Sequence, residues 1–267
     1  MPRGWRQAWA RRGSAIAVLL VAVTPGPAPA EDIVANYSAY WAGLPAANIR
    51  LTLGDGGAKY HDEIEVTTQG LPHLLSRFRA IASAEGRLAA DRTAEPSRYL
   101  AAYDLRKRHD RRISMRFVRS PGGTIAERGP DDTSRKPPLA EAFRKNSVDP
   151  LSALERIREA MRAARPGRRF TIPVYDGARR FDIVGEILPR NGPADGTLRA
   201  GLTLRPIAGF RGETSEDGDP DDAPRKVELT VTDDARLLPL SITVPVFFMP
   251  LVIRFEELCP TARSCSK

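Results

Sequence analysis

The most reactive side chains in this sequence are two thiols, Cys259 and Cys265, close together at its C-terminal end. A cysteine pair at short spacing can be a disulfide, half of a metal site or a redox couple. Zinc asks for about four ligands, and His61, His73 and His109 are scattered without ligand spacing. A redox couple more often has two residues between its thiols. The simplest reading is a disulfide between Cys259 and Cys265, provided the compartment is oxidising. No serine stands in a Gly-x-Ser-x-Gly elbow, and no glycine-rich loop follows a strand to open a helix. The pairs Asp131-Asp132, Asp221-Asp222 and Asp233-Asp234 lie in turn-rich stretches, where aspartate bonds its own backbone. The expectation is a protein that is not an enzyme, with no catalytic residue, metal ligand or cofactor to assign.

The compartment is read from the first thirty residues. Arg3, Arg6, Arg11 and Arg12 precede the apolar run Ala15–Val23, and Ala28-Pro29-Ala30 ends the segment. A basic start, a short apolar core and a small-residue site predict a signal peptide over 1–30, cleaved near Ala30. The apolar run falls well short of the ~20 residues a transmembrane helix needs. Arg11-Arg12 raises twin-arginine export, but Gly13-Ser14 follows where a bulky apolar residue is expected, which favours the general route. The predicted location is periplasmic or secreted. Four positive charges leave with the peptide, so a formal +8 for the whole chain becomes +4 for residues 31–267. Acidic and basic residues alternate through that remainder, so a nucleic-acid partner is not expected.

Residues 31–267 read as one domain of short strands ending in a cysteine-containing tail. Ile49, Leu51 and Leu53 alternate with Arg50 and Thr52, and Ile64 and Val66 alternate with Glu63, Glu65 and Thr67, the period of half-buried strands. Leu71, Leu74, Leu75 and Phe78 suggest a helical turn before a strand ending near Arg87. A hairpin is expected around His109-Asp110, and another around Asp176-Gly177, the strongest turn signature present. Residues 120–147 read as a long excursion with little core of its own. One helix stands out over 150–164: Asp149 caps it, Pro150 opens it, and Leu151, Leu154, Ile157 and Met161 form a stripe. Glu155, Arg156, Arg158 and Glu159 are expected to face away from that stripe. The run Val244–Ile253 is too short for a span, and Pro245 and Pro250 argue against a regular central strand.

Five stretches, Tyr37–Ala47, Thr67-Thr68-Gln69-Gly70-Leu71, Glu95–Tyr99, Asp149–Leu154 and Phe170–Gly177, follow one another in that order. Together they resemble an exported bacterial family grouped as domain of unknown function 3108. The resemblance implies an exported protein with a curved antiparallel sheet around a helix. It brings no established activity.

The expected fold is mainly β: about ten antiparallel strands curved into an open or partial barrel, with helix 150–164 packed on the concave side. Two roles follow from it. One is a binding protein that takes an acyl chain, lipid or lipoprotein against an apolar concave face, with Leu154, Ile157 and Met161 as floor and Val246, Phe247, Phe248 and Met249 as lip. The other is a structural or assembly factor of the cell envelope that holds protein partners. A filled core and an exposed patch would favour the second, an unfilled apolar hollow the first.

Overall fold

The computed structural model describes residues 32–55, 57–70, 73, 78–105, 108–134, 137–162, 165–190, 196–210, 223–246 and 249–259. Among them are thirteen strands: β1 (Ile33–Trp41), β2 (Leu44–Asp55), β3 (Lys59–Thr68), β4 (Arg79–Leu88), β5 (Ala94–Leu105), β6 (Arg108–Ser120), β7 (Gly123–Arg128), β8 (Arg169–Tyr175), β9 (Arg180–Ile187), β10 (Thr197–Ala208), β11 (Arg225–Thr232), β12 (Pro239–Val246) and β13 (Met249–Cys259). The single turn α1 (Glu141–Arg144) and the helix α2 (Pro150–Arg162) lie between β7 and β8.

All thirteen strands form one sheet in the order β7-β6-β5-β4-β3-β2-β1-β13-β12-β11-β10-β9-β8. Two meanders, β1–β7 and β8–β13, are thus joined where β1 pairs with β13. Twist accumulates over so many strands and the sheet curls until its outer strands approach each other. The seam between β7 and β8 is stitched by residues 145–148. Asn146 donates its amide to the Thr124 carbonyl at 2.7 Å, and Val148 donates to the Pro173 carbonyl and accepts from the Tyr175 amide, each at 2.9 Å. Asn146 adopts φ 54°, a left-handed conformation asparagine tolerates better than most residues. Its side chain accepts from the Thr124 amide at 3.1 Å. Gly123 makes room for it, since a Cβ there would stand 1.7 Å from the Asn146 Oδ1. Pro173, on the same edge, has no N–H to leave unpaired on its outward side. The result is a nearly closed barrel.

Inside it lies α2. Asp149 caps the helix, accepting from the Leu151 and Ser152 amides at 3.0 and 2.9 Å. Ile157 and Met161 pack among Ile172, Val174, Ile187, Leu198 and Val231 of the second meander. Leu151 packs against Tyr60, Tyr99 and Met115 of the first.

The structure corrects four expectations. There are thirteen strands rather than about ten, partly because 120–147 is no bare excursion: it contributes β7, whose Ile125 and Ala126 are buried, and α1. Glu155 and Arg158 do not face away from the core; both are buried, because they lie on the part of α2 that the barrel encloses, whereas Arg162 at its end is exposed. Pro245 and Pro250 do sit in central strands, facing each other across β12 and β13. They are tolerated because the pairing of β12 with β11 and of β13 with β1 reaches no further than Thr243 and Leu251, so no ladder bond on those sides is missed. The helical turn expected at 71–78 lies mostly outside the described residues, as does the predicted signal peptide.

Candidate functional site: an apolar barrel mouth above a polar floor

The helix closes one end of the barrel. Arg156 reaches the Ala94 carbonyl at the start of β5 at 3.0 Å. Arg158 and Arg162 bind the carbonyls of Arg236 and Ala235, in the β11–β12 connection, at 2.6 and 2.9 Å. That connection is held in shape by Asp234, which accepts from the Arg236 and Leu237 amides at 2.9 and 3.2 Å. Tyr60, at the same end of β3, donates to the Ser152 hydroxyl at 2.6 Å, and Ser152 donates to Asp149 at 2.5 Å.

The other end has no such plug among the described residues. Side chains directly opposite one another across antiparallel strands share a face, so the register identifies the inner wall. Ile64, Ala82, Ala101 and Ile113 form one inward layer of the first meander. Val66, Ala80 and Tyr103 form the next layer outward. On the other side Ile242 faces Ile253 and Val244 faces Leu251. Beyond them Trp41 stands between Leu251 and Leu44. Every residue of both layers and of the Ile242–Leu251 group is only half-buried, whereas Leu51 and Ile49, opposite Ile64 and Val66 on β2, and Ala39, opposite Ile253 on β1, are buried. At the rim, Trp41 is 38% exposed, Leu44 53% and Met249 38%. Inward-pointing apolar side chains that keep this much surface are not covered by any described residue.

Polar groups lie beneath the mouth. Asp62, on the inner face of β3, is 1% exposed. Neither of its oxygens makes a well-formed hydrogen bond, the Gly54 amide being the backbone donor that bears on it, and the inward hydroxyl of Tyr37 is without a partner among the described residues. Burial, with the charge of Glu155 added, pushes the Asp62 carboxyl up to about 9, against the opposing pull of Arg158. Asp62 is therefore a neutral acid at pH 7 and can donate to Glu155, whose charge is matched by an ion pair with the buried Arg158. Burial also raises the Tyr37 phenol well above its ordinary range, with Arg158 pulling the other way. The Asp149 carboxyl is pushed up to about 6 by burial, against the bonds from Ser152 and Leu151.

The residues expected to form a lipid site are only partly brought together. Leu154 is half-buried and packs against the same buried cluster, with Tyr37, Leu51 and Leu238 among its members, as Ile64, Leu251 and Ile253 do. Ile157 and Met161, 5% and 0% exposed, lie deeper and complete the core. Val246 pairs with Met249 at the rim, while Phe247 and Phe248 lie outside the described residues. Cys259 ends β13 buried opposite Val34, and Cys265 too lies outside them. Trp41, Leu44 and the Asp62–Glu155–Arg158 cluster were missed. Asp62 had a signal, since it shares the strand parity of Ile64 and Val66. A separate groove of about 600 Å³ crosses the second meander near Arg169, Val184, Gly201, Thr203, Lys226 and Thr243.

Comparison with known proteins bears on the family and the fold. Residues 36–252 match the family described as "Protein of unknown function (DUF3108)". No curated protein matches the chain in sequence. Among solved structures, it is similar to a β-barrel-like protein of domain of unknown function DUF1849 from Brucella abortus, with TM-score 0.54 and 9% identity over 85% of this chain and 95% of that one. At that identity the likeness is one of fold.

Proposed function

The chain belongs to the DUF3108 family, and we propose that it is an exported, non-catalytic protein of the bacterial envelope that takes an acyl chain or lipid into the open mouth of its barrel. One observation carries this reading: the inward apolar residues of β3–β6 and of β12–β13 at that end are half-exposed, while the opposite end is filled by α2. A hollow walled by Leu, Ile, Val and Met suits a flexible apolar ligand, because such walls repack around it at little cost. The leader-like first thirty residues support export. In an oxidising compartment Cys259 and Cys265 would then be joined, which thiol labelling of denatured, unreduced protein tests: modification of both would refute it.

The main test is mass spectrometry of small molecules extracted from protein purified out of its native envelope, together with titration of a fluorescent fatty acid. The expected result is a co-purifying acyl compound and saturable binding lost in Leu251→Asp. A second reading, an assembly factor acting through protein contacts, is favoured by the outer groove of about 600 Å³. No extracted lipid and no saturable binding, with a protein partner whose attachment depends on Gly201 staying small, would replace the first reading by the second.

A further inference from the structure

The register that identifies the apolar wall also places charge at the rim. Arg111 stands opposite Tyr103, two residues outward from the Ala101–Ile113 pair, and so shares the inner face. Among the described residues no hydrogen bond or ion pair occupies its guanidinium, and it is half-buried. On the other meander Arg225 stands opposite Leu204, again on the inner side, with an interaction of its own. No carboxylate shares the inward register of this end among the described residues; Asp62, the inward acid of β3, lies at the far end beside α2. Outside that register, Asp104 follows Tyr103 on the opposite face with an interaction of its own, and Asp176 lies in the β8–β9 turn. This turn is close: a Cβ on Gly177 would come within 2.4 Å of Ile113. Asp176 is already engaged by the Ala178 and Arg179 amides at 2.9 and 2.7 Å and by the Arg179 guanidinium at 3.0 Å.

The mouth is thus apolar along its wall and cationic at its rim. Resting on the reading of the mouth as an acyl site, we infer that its ligand carries an anionic head, a carboxylate or phosphate, and that Arg111 binds that head while the chain lies against the inner wall. A guanidinium offers a planar fork of donors that matches either oxyanion, and such charge-assisted bonds strengthen where water is partly excluded. An uncharged head would leave Arg111 solvated and add nothing to the grip on the chain.

Palmitate and 1-hexadecanol have the same chain length and differ in the head, so competition of each against a neutral fluorescent acyl probe isolates the claim; lysophosphatidate replaces palmitate to separate phosphate from carboxylate. Palmitate or lysophosphatidate should bind about tenfold more tightly than the alcohol, roughly the worth of one charge-assisted bond. Arg111→Gln should remove that advantage and leave hexadecanol binding unchanged, and Arg111→Lys should keep part of it. Added salt should weaken the anionic ligands only. Equal binding of acid and alcohol, or an Arg111→Gln variant that weakens both alike, overturns the inference and leaves the acyl site standing. If neither ligand binds saturably, both fall.

Discussion

Asp62 occupies a position that the alternation of its strand reserves for an apolar side chain, between inward Tyr60 and inward Ile64. It stays there by remaining protonated. Its folded-state pKa lies far above the unfolded value of 3.8, at about 9, so its favourable contribution is complete below about pH 4 and drains away as pH rises through 9. Asp149, raised to about 6, acts in the same direction over a lower window. Chemical denaturation of residues 31–267 should therefore show stability falling between pH 5 and pH 9. Asp62→Asn, which keeps a donor toward Glu155 without the titration, should be more stable than wild type at pH 8, by on the order of 1–3 kcal/mol, with a flatter profile. A variant less stable at pH 8, or an unchanged slope, would show that Asp62 is ionised in the fold. Arg158→Ala strands Glu155 in the interior and should cost about 3–5 kcal/mol at pH 7 in the same measurement. Sequence made Asp62 legible in principle, through parity. It could not reveal Glu155 and Arg158, since charges on an amphipathic helix normally face water and only the enclosing barrel removes that option.

At the level of elements, α2 replaces a hydrophobic plug. Its N-terminus is fixed by Asp149 and Ser152, its far end by bonds from Arg158 and Arg162 to the 235–236 carbonyls, and Met161 fills the space between. Met161→Ala should cost about 2–5 kcal/mol in denaturant unfolding; a cost under ~1 kcal/mol would mean that the helix is not a core element. The helix, its cap and most strands were legible because local signals agreed: Asp149-Pro150, Asp176-Gly177, and alternation in β2 and β3. β7 was not, because Gly123–Arg128 has only six residues and its partner β6 supplies the burial that its own sequence hardly announces. The hairpin of β12 and β13 was obscured by Pro245 and Pro250, whose tolerance depends on where neighbouring strands stop pairing with them.

For the whole molecule, the decisive contact joins the two ends of the chain, as Trp41 pairs with Leu251 and Tyr37 with Phe255. Nothing local encodes that pairing, so a curved sheet could be expected while its near-closure, its strand count and the unequal filling of its two ends could not. Those features make the mouth. They also provide its reporter, because residues 31–267 contain a single tryptophan, Trp41, and it stands on the rim 38% exposed. Titrating residues 31–267 with a dibrominated stearic acid and following tryptophan emission therefore tests the acyl-site account most directly. The account predicts saturable quenching at a stoichiometry near one, reversed by excess palmitate. Emission that stays constant, or falls linearly without saturation up to the solubility limit of the acid, would contradict it.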